Sequence, residues 1–309
     1  MRPRSTSSPA RRPSRWSEGG APAARGIRYA ANMAEYATPQ EEWHDFLSGT
    51  HPHLQDKSPL RLIPSKPRCK LCQAPFGSPG KFILARYGYA PWSKQPRICG
   101  RCFKSIGEHA QMCPGAPAGQ EIRGGEVEIS MLFADVRGSS KLAREMPVID
   151  FTRLMNRFYR ESSSVLIESD AIIEKFVGDE IVGLFIPFLT GPEHAARAIE
   201  TAQELLRVTG HGSPDGPWVP LGAGVHTGTA FVGMVGSNNA SDFTALGDPV
   251  NIAAHLASQA AIGEILVTNE ATEAAGLTAD GLERRHLSLK GHPVDAVVLS
   301  ATPLAPASG

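Results

Sequence analysis

The chain is 309 residues and 33.0 kDa, with 31 Lys and Arg against 31 Asp and Glu and 41% apolar residues. That length suits two domains and that apolar content one substantial core, while zero net charge argues against a surface built wholly for polyanions or membranes. No run of about eighteen apolar residues occurs, and the first thirty lack the apolar core of a secretory signal, so the sequence predicts a cytoplasmic chain with no membrane span.

Neutrality is a sum of opposed segments. Residues 1–28 hold seven Arg and one Glu among Ser, Pro, Ala and Gly, and a tail over 1–34 is expected to be disordered because it has little to bury. An organelle transit peptide and a start at Met33 are the alternatives. Residues 35–65 form a short mixed segment with two basic and five acidic side chains, and 66–104 carry nine basic and no acidic ones.

That basic stretch contains Cys69-x-x-Cys72 and Cys99-x-x-Cys102, separated by 26 residues. Two such knuckles can give four thiolates to one tetrahedral Zn²⁺, which would close a small module over 66–113. An iron–sulfur cluster or a thiol redox pair are the other readings. The long spacing requires a folded excursion, expected as a hairpin through Phe82, Ile83, Leu84, Tyr87 and Tyr89, and Cys113 is left over as a free thiol, with a spare ligand or a redox contact as the alternatives. Basic residues interleaved with aromatics can bind nucleic acid, but residues 105–309 carry 13 basic against 25 acidic side chains. The chain therefore offers its own acidic partner, and an intramolecular or regulatory role is preferred. A Gly- and Pro-rich linker is expected over 114–125.

From 126 to 301 strands and helices alternate, followed by a short tail over 302–309. Glu126 to Ala134 reads as a strand ending at Asp135, and Phe151, Leu154, Met155 and Phe158 mark a helix over 147–167. The runs 171–177 and 181–188 flank Gly178-Asp179-Glu180 as a hairpin. Pro192 and Gly210 bracket a second helix. Strands near 219–226 and 229–235 precede a helix opened by Asp248 and Pro249, and further strands lie near 264–268, 284–289 and 294–300. The pattern is an α/β domain, an α+β sandwich of about 180 residues.

Asp135 at a strand end, followed by a small-residue loop with Gly138 and Ser139, suits a divalent cation beside phosphates; an ordinary strand-end residue is the plain alternative. Asp179 at a hairpin tip is usual for backbone reasons alone, yet two aspartates from neighbouring strands can converge for phosphoryl chemistry.

The motifs FADVRGSS (133–140), EKFVGDE (174–180), GVHTGTAFVGMVG (224–236), TALGDPVNIAAHLAS (244–258) and LKG (289–291) together resemble the class III nucleotidyl cyclase catalytic domain, most closely bacterial cyclases with an N-terminal cysteine-rich segment. The resemblance covers about 126–300 and implies a ferredoxin-like core with two Mg²⁺ or Mn²⁺ ions per active site. It matches Asp135 and Asp179 to the metal carboxylates, Val136 to a carbonyl ligand, Lys175 and Thr244 to the base-reading pair, Asn251 to the ribose-orienting residue and Lys290 to a terminal-phosphate contact. It further implies a homodimer, with metal carboxylates from one subunit and base-reading residues from the other. Lys175 has a plain reading too, as a solvated strand residue paired with Glu174 or Glu180.

A lysine donates only, so it satisfies adenine N1 but not guanine N1–H, and a Thr hydroxyl can accept from the N6 amine; ATP is the expected substrate. One departure stands out: His255 occupies the position where the family has the Arg that stabilises the transition state, and loss of one such donor costs about a hundred-fold or more. The expectation is an adenylate cyclase making cyclic AMP and pyrophosphate, with activity reduced by His255. The alternative is a weakly active or inactive nucleotide-binding module whose zinc segment contacts a partner or nucleic acid. Val177 to Ile181 also resembles a diguanylate cyclase signature but lacks its first Gly and its Phe.

Overall fold

The computed structural model describes residues 38–55, 59–64, 66–78, 80–109, 123–236, 242–289 and 292–302. The N-terminal tail, Cys113, most of the expected linker and Lys290 lie outside the described residues.

The mixed segment after the tail is helical at its start. In α1 (Pro39–Ser48), Thr38 Oγ1 accepts from the Glu41 N–H at 3.3 Å and the Glu41 carboxylate accepts from the Thr38 N–H at 3.2 Å, a reciprocal cap. Trp43 and Leu47 are buried on its inner face. A short helix α2 (Pro52–Gln55) and a 3₁₀ turn (Pro59–Leu62) lead into the cysteine module.

Within the module the excursion between the cysteine pairs departs from the expected hairpin. Residues 80–87 form α3 (Gly80–Leu84) and a 3₁₀ turn (Ala85–Tyr87), and the hairpin comes after them, as β1 (Pro91–Trp92) and β2 (Gln95–Cys99). The reason is exposure: Phe82, Ile83 and Tyr87 are 74%, 66% and 64% exposed, so their apolar character does not pair them across strands. Helix α4 (Gly100–His109) carries Cys102, the fourth cysteine of the two pairs.

The main sheet has eight strands: β3 (Arg123–Val136), β4 (Ile172–Val177), β5 (Glu180–Phe185), β6 (Leu221–Val235), β7 (Asp242–Leu246), β8 (Ile265–Thr268), β9 (Arg284–Leu289) and β10 (His292–Leu299). Its order is β4-β5-β3-β6-β8-β10-β9, with β7 also paired to β6; β6 and β8 are parallel and the other neighbours antiparallel. Helices α5 (Ser139–Glu145), α6 (Val148–Glu168), α7 (Pro187–Thr190), α8 (His194–Val208), α9 (Asp248–Gln259) and α10 (Asn269–Ala274) connect them. The α/β class is as expected, and three local features differ. β3 starts at Arg123, inside the expected linker. The run to Phe188 leaves the strand after Phe185, where Pro187 opens α7. The two strands expected around Thr227-Gly228 are one strand, β6. Gly228 marks a close approach rather than a turn, since a Cβ there would stand 3.1 Å from the Pro249 ring on α9.

Alternation along β3 divides the core. Leu132, Ala134 and Val136 join α6 and α8 on one face, and Ile129, Met131 and Phe133 join Trp43, Leu47, Phe76, Ile98 and Cys99 on the other. The N-terminal segments therefore cover the second face of the main sheet.

This packing sets the expected response to mutation and to acid. Leu47→Ala removes a fully buried side chain and should destabilise the whole chain by about 2–4 kcal/mol in urea unfolding. His194, His211 and His226 are buried, and burial lowers each below the ordinary 6.5. Their native states favour the neutral ring, so the unfolded chain binds more protons, and unfolding free energy measured by denaturant should fall as pH drops below about 6.5.

Candidate active site and cysteine metal centre

The two aspartates come together through the backbone. Asp135, in register with Glu180 of β5 and Gly222 of β6, is the penultimate residue of β3, and the next residue, Val136, donates its N–H to the Asp179 carbonyl at 3.1 Å. Asp179 itself caps the β4–β5 turn. Arg137 donates to the Asp135 carboxylate and, through Nη1, to the Ser258 carbonyl of α9 at 2.9 Å. Ser139 donates to the Asp179 carboxylate, and Tyr159 to the Gly178 carbonyl. Gly138, in the left-handed region at φ 70°, opens α5, and a Cβ there would meet nothing within 4 Å, so the loop beside the aspartates is open.

The electrostatics mark the spot as half-buried and acidic. Burial, then the Asp179 charge, raise Glu180 above the ordinary carboxylate range; burial likewise raises Tyr159 and lowers Arg137. Two carboxylates with an adjacent main-chain carbonyl are a hard oxygen donor set, the type that suits Mg²⁺ or Mn²⁺.

A second cluster lies along β4. Lys175 is about half exposed and stands 3.3 Å from Glu174 Oε1, as its plain reading expects. Thr244 on β7 donates to that same Glu174 oxygen, so the two residues singled out for base reading meet on one carboxylate. Asn251 is exposed on α9, and His255, one turn further, is half-buried. Helix α9 lies close on β6, where a Cβ at Gly224 would meet the Ala257 N at 2.4 Å. Sequence reasoning named Glu174 only as an ion-pair partner and missed Tyr159 and Asp170, which act through tertiary contacts with no local sequence mark, and Arg137, which lies inside the FADVRGSS motif but was given no role.

The four cysteines are the one group of three or more metal-ligating side chains among the described residues, with all Sγ atoms within 4.8 Å of one another. Cys69 and Cys102 Sγ are 3.8 Å apart, and Cys72 and Cys99 Sγ 3.7 Å. A tetrahedron of sulfurs about 2.3 Å from a central ion has edges of about 3.8 Å. The cluster is thus of a size to hold one thiophilic ion. Main-chain N–H groups of Cys99 and Cys102 point at Cys69 and Cys99 Sγ, each at 3.3 Å, and support thiolate charge. The hydrogen bond shared by Cys69 and Cys102 pulls the Cys69 thiol down and pushes Cys102 up.

The basic module docks on the acidic domain, as preferred from the charge pattern. Asp170, 2% exposed, faces Lys70, Arg97 (2.6 Å) and Arg197 (3.5 Å). Lys94 is tied to Asp242 at 2.6 Å, its carbonyl accepts from the Ile173 N–H at 3.2 Å, and Gln95 Nε2 donates to the Ala171 carbonyl at 2.7 Å. Trp92 stacks on Phe103 at 3.9 Å, and both meet Phe243 edge-on.

Residues 125–300 match the family model described as the adenylate and guanylate cyclase catalytic domain. An adenylate cyclase of Anabaena cylindrica is 30% identical over 132 residues, 41% of this chain and 26% of the relative. The terminal-differentiation-specific adenylate cyclase of Dictyostelium discoideum is 30% identical over 157 residues, 49% of this chain and 7% of the relative. The chain thus spans about a quarter or less of these two relatives. Of solved structures, the adenylyl cyclase CyaB from P. aeruginosa is 26% identical with a TM-score of 0.48, covering 57% of this chain and 95% of that one.

If the cysteine cluster holds an ion that completes the second core face, elemental analysis should return one thiophilic metal per chain. Chelation or Cys69→Ser should then lower the melting temperature by several degrees; an unchanged melt would mean that apolar packing alone holds the module.

Proposed function

The chain belongs, through residues 125–300, to the adenylate and guanylate cyclase catalytic domain family, and on that premise we propose that it is an adenylate cyclase, converting ATP to 3′,5′-cyclic AMP and pyrophosphate. The observation that carries the reading is the Val136 N–H bond to the Asp179 carbonyl, which sets two carboxylate-bearing residues side by side at the end of the central strand. Asp135, Asp179 and the Val136 carbonyl would hold a pair of Mg²⁺ or Mn²⁺ ions. Bound there, the divalent pair supplies charge stabilisation for the attacking 3′-oxygen and the phosphates.

The chain's own residues do the rest. Gly138 and Ser139 border the phosphates in an open loop, and Lys290 is assigned to the terminal ones by the family resemblance alone. Lys175 donates to adenine N1 and Thr244 accepts from the N6 amine. Asn251 orients the ribose so that its 3′-hydroxyl lies in line with the α-phosphate, and pyrophosphate leaves opposite it. His255 stands where an Arg fork would meet the developing charge; an imidazole offers fewer donors and no permanent charge, so turnover is slow.

The working unit in this reading is a homodimer with sites shared between subunits. Phe176 and Leu246 support it: they are 41% and 49% exposed and lie one residue after Lys175 and two after Thr244, giving apolar surface that a second copy would cover. The cysteine cluster is read as a structural Zn²⁺ site, because four sulfurs in a closed tetrahedral arrangement are its usual donor set. Among the described residues no helix is long and apolar enough to cross a membrane, and a cytoplasmic location is proposed. Nucleic acid is not the preferred partner of the module, since Lys70, Lys94 and Arg97 are engaged with Asp170 and Asp242.

The test is cyclic-nucleotide formation by the purified chain with ATP and Mg²⁺ or Mn²⁺. Asp135→Asn and Asp179→Asn should each reduce kcat by about a hundred-fold or more, and His255→Arg should raise it by about tenfold or more. Nucleotide binding without turnover, unimproved by His255→Arg, would favour the nucleotide-responsive module instead.

A further inference from the structure

We propose that Glu174 is the residue that makes the base-reading pair selective for a 6-amino purine; the inference rests on the ATP-cyclase reading above and specifies how that site discriminates. Glu174 lies on β4 and is 5% exposed. Its Oε1 accepts a hydrogen bond from the Thr244 hydroxyl and pairs with Lys175 at 3.3 Å, while its Oε2 is buried with no hydrogen-bond partner among the described residues. A buried carboxylate oxygen without a donor is costly, and proteins retain such groups where a site uses them.

The chemistry follows from what each group has left. A Thr hydroxyl has one proton and two lone pairs, and an ionised carboxylate beside an ammonium accepts only. With its proton committed to Glu174, Thr244 presents lone pairs alone to a bound base. Adenine meets them with its N6 amine, a donor; guanine brings O6, an acceptor, and the two acceptors repel. A free Thr hydroxyl would rotate and donate to O6, so Thr244 by itself does not discriminate. Glu174 removes that freedom.

The same carboxylate holds the Lys175 ammonium, which faces the N1 lone pair of adenine but would oppose the N1–H of guanine. One side chain thus fixes the polarity of Thr244 and the position of Lys175, although Glu174 and Thr244 lie 70 positions apart in the chain. The cysteine module steadies this meeting. Lys94 receives the Ile173 N–H of β4 on its carbonyl and grips Asp242 of β7 with its ammonium, so the residue before Glu174 and the residue two before Thr244 are tethered to one lysine.

Glu174→Met keeps the length and removes both acceptor oxygens, which frees the Thr244 proton for a 6-oxo group. The measurement is the ratio of dissociation constants for 3′-deoxy-ATP and 3′-deoxy-GTP, which lack the nucleophile, by calorimetry with Mg²⁺ on the full chain. The wild type should prefer the adenine analogue, Glu174→Met should lower that preference about tenfold, and Glu174→Gln, which keeps an acceptor for the Thr244 hydroxyl, should hold it within about threefold. In a Thr244→Val background Glu174→Met should change the ratio by less than about twofold. An unchanged ratio in Glu174→Met, an equal loss in Glu174→Gln, or the same loss without the Thr244 hydroxyl would overturn the inference. Should Glu174→Met lose cooperative melting, Thr244→Ser is to keep the preference and Thr244→Val to lose it, and equal ratios would overturn it too. A wild type that binds neither analogue, or binds both alike, defeats the cyclase reading itself or its ATP assignment, a result distinct from a selective wild type with an unaltered variant.

Discussion

The site depends on the register of one strand. β3 is paired from Arg123 to Val136 with β6 and over its second half with β5, and this puts Asp135 level with the β4–β5 turn. Because side chains alternate with a period of two, a slip by one residue would exchange Ile129, Met131 and Phe133 with Leu132, Ala134 and Val136 between two differently built cores. Both cores therefore defend the register, and the position of the aspartates is a by-product of apolar packing. The polar residues at the strand end need only be the right type.

The cysteine module is integrated with this architecture through charge as well as packing. Taking Asp170 out of water is expensive, and the cost is offset by three cations, two from the module and Arg197 from α8. Asp170 also adopts φ 64°, a left-handed conformation that Asp tolerates better than most residues, in the turn that delivers the chain from α6 into β4. The start of the strand bearing Glu174 and Lys175 is thus set by a turn that the module grips. The neutral total of the chain arises from segments whose opposite charges are partly spent on one another.

Much of this was legible in the sequence because it has a local cause. The amphipathic period from Phe151 to Phe158, the Gly-Asp turn and the paired cysteine knuckles each encode their element within a few residues. The capping box of α1 was equally local, Thr38 with Glu41, yet it sat in a segment with no clear period around it. What could not be read depends on distance in the chain. Lys70 and Asp170 are 100 residues apart, and Glu174 and Thr244 are 70 apart, so neither pair leaves a pattern in the sequence. Gly228 misled for a different reason: glycine signals a turn and a close approach alike, and only the Pro249 ring distinguishes them. The apolar residues at 82, 83 and 87 misled because they remain exposed.

The contact of Lys94 and Gln95 with β4 has a consequence for solubility. β4 is an edge strand of the large sheet, and a bare edge invites another chain to extend the ladder. Here the outward Ile173 N–H is taken by the Lys94 carbonyl and the Ala171 carbonyl by the Gln95 amide. The module therefore blunts the edge at its entry, beside the lysine that would be lost under an added strand. Another chain is therefore hindered from extending the ladder at that point of the edge.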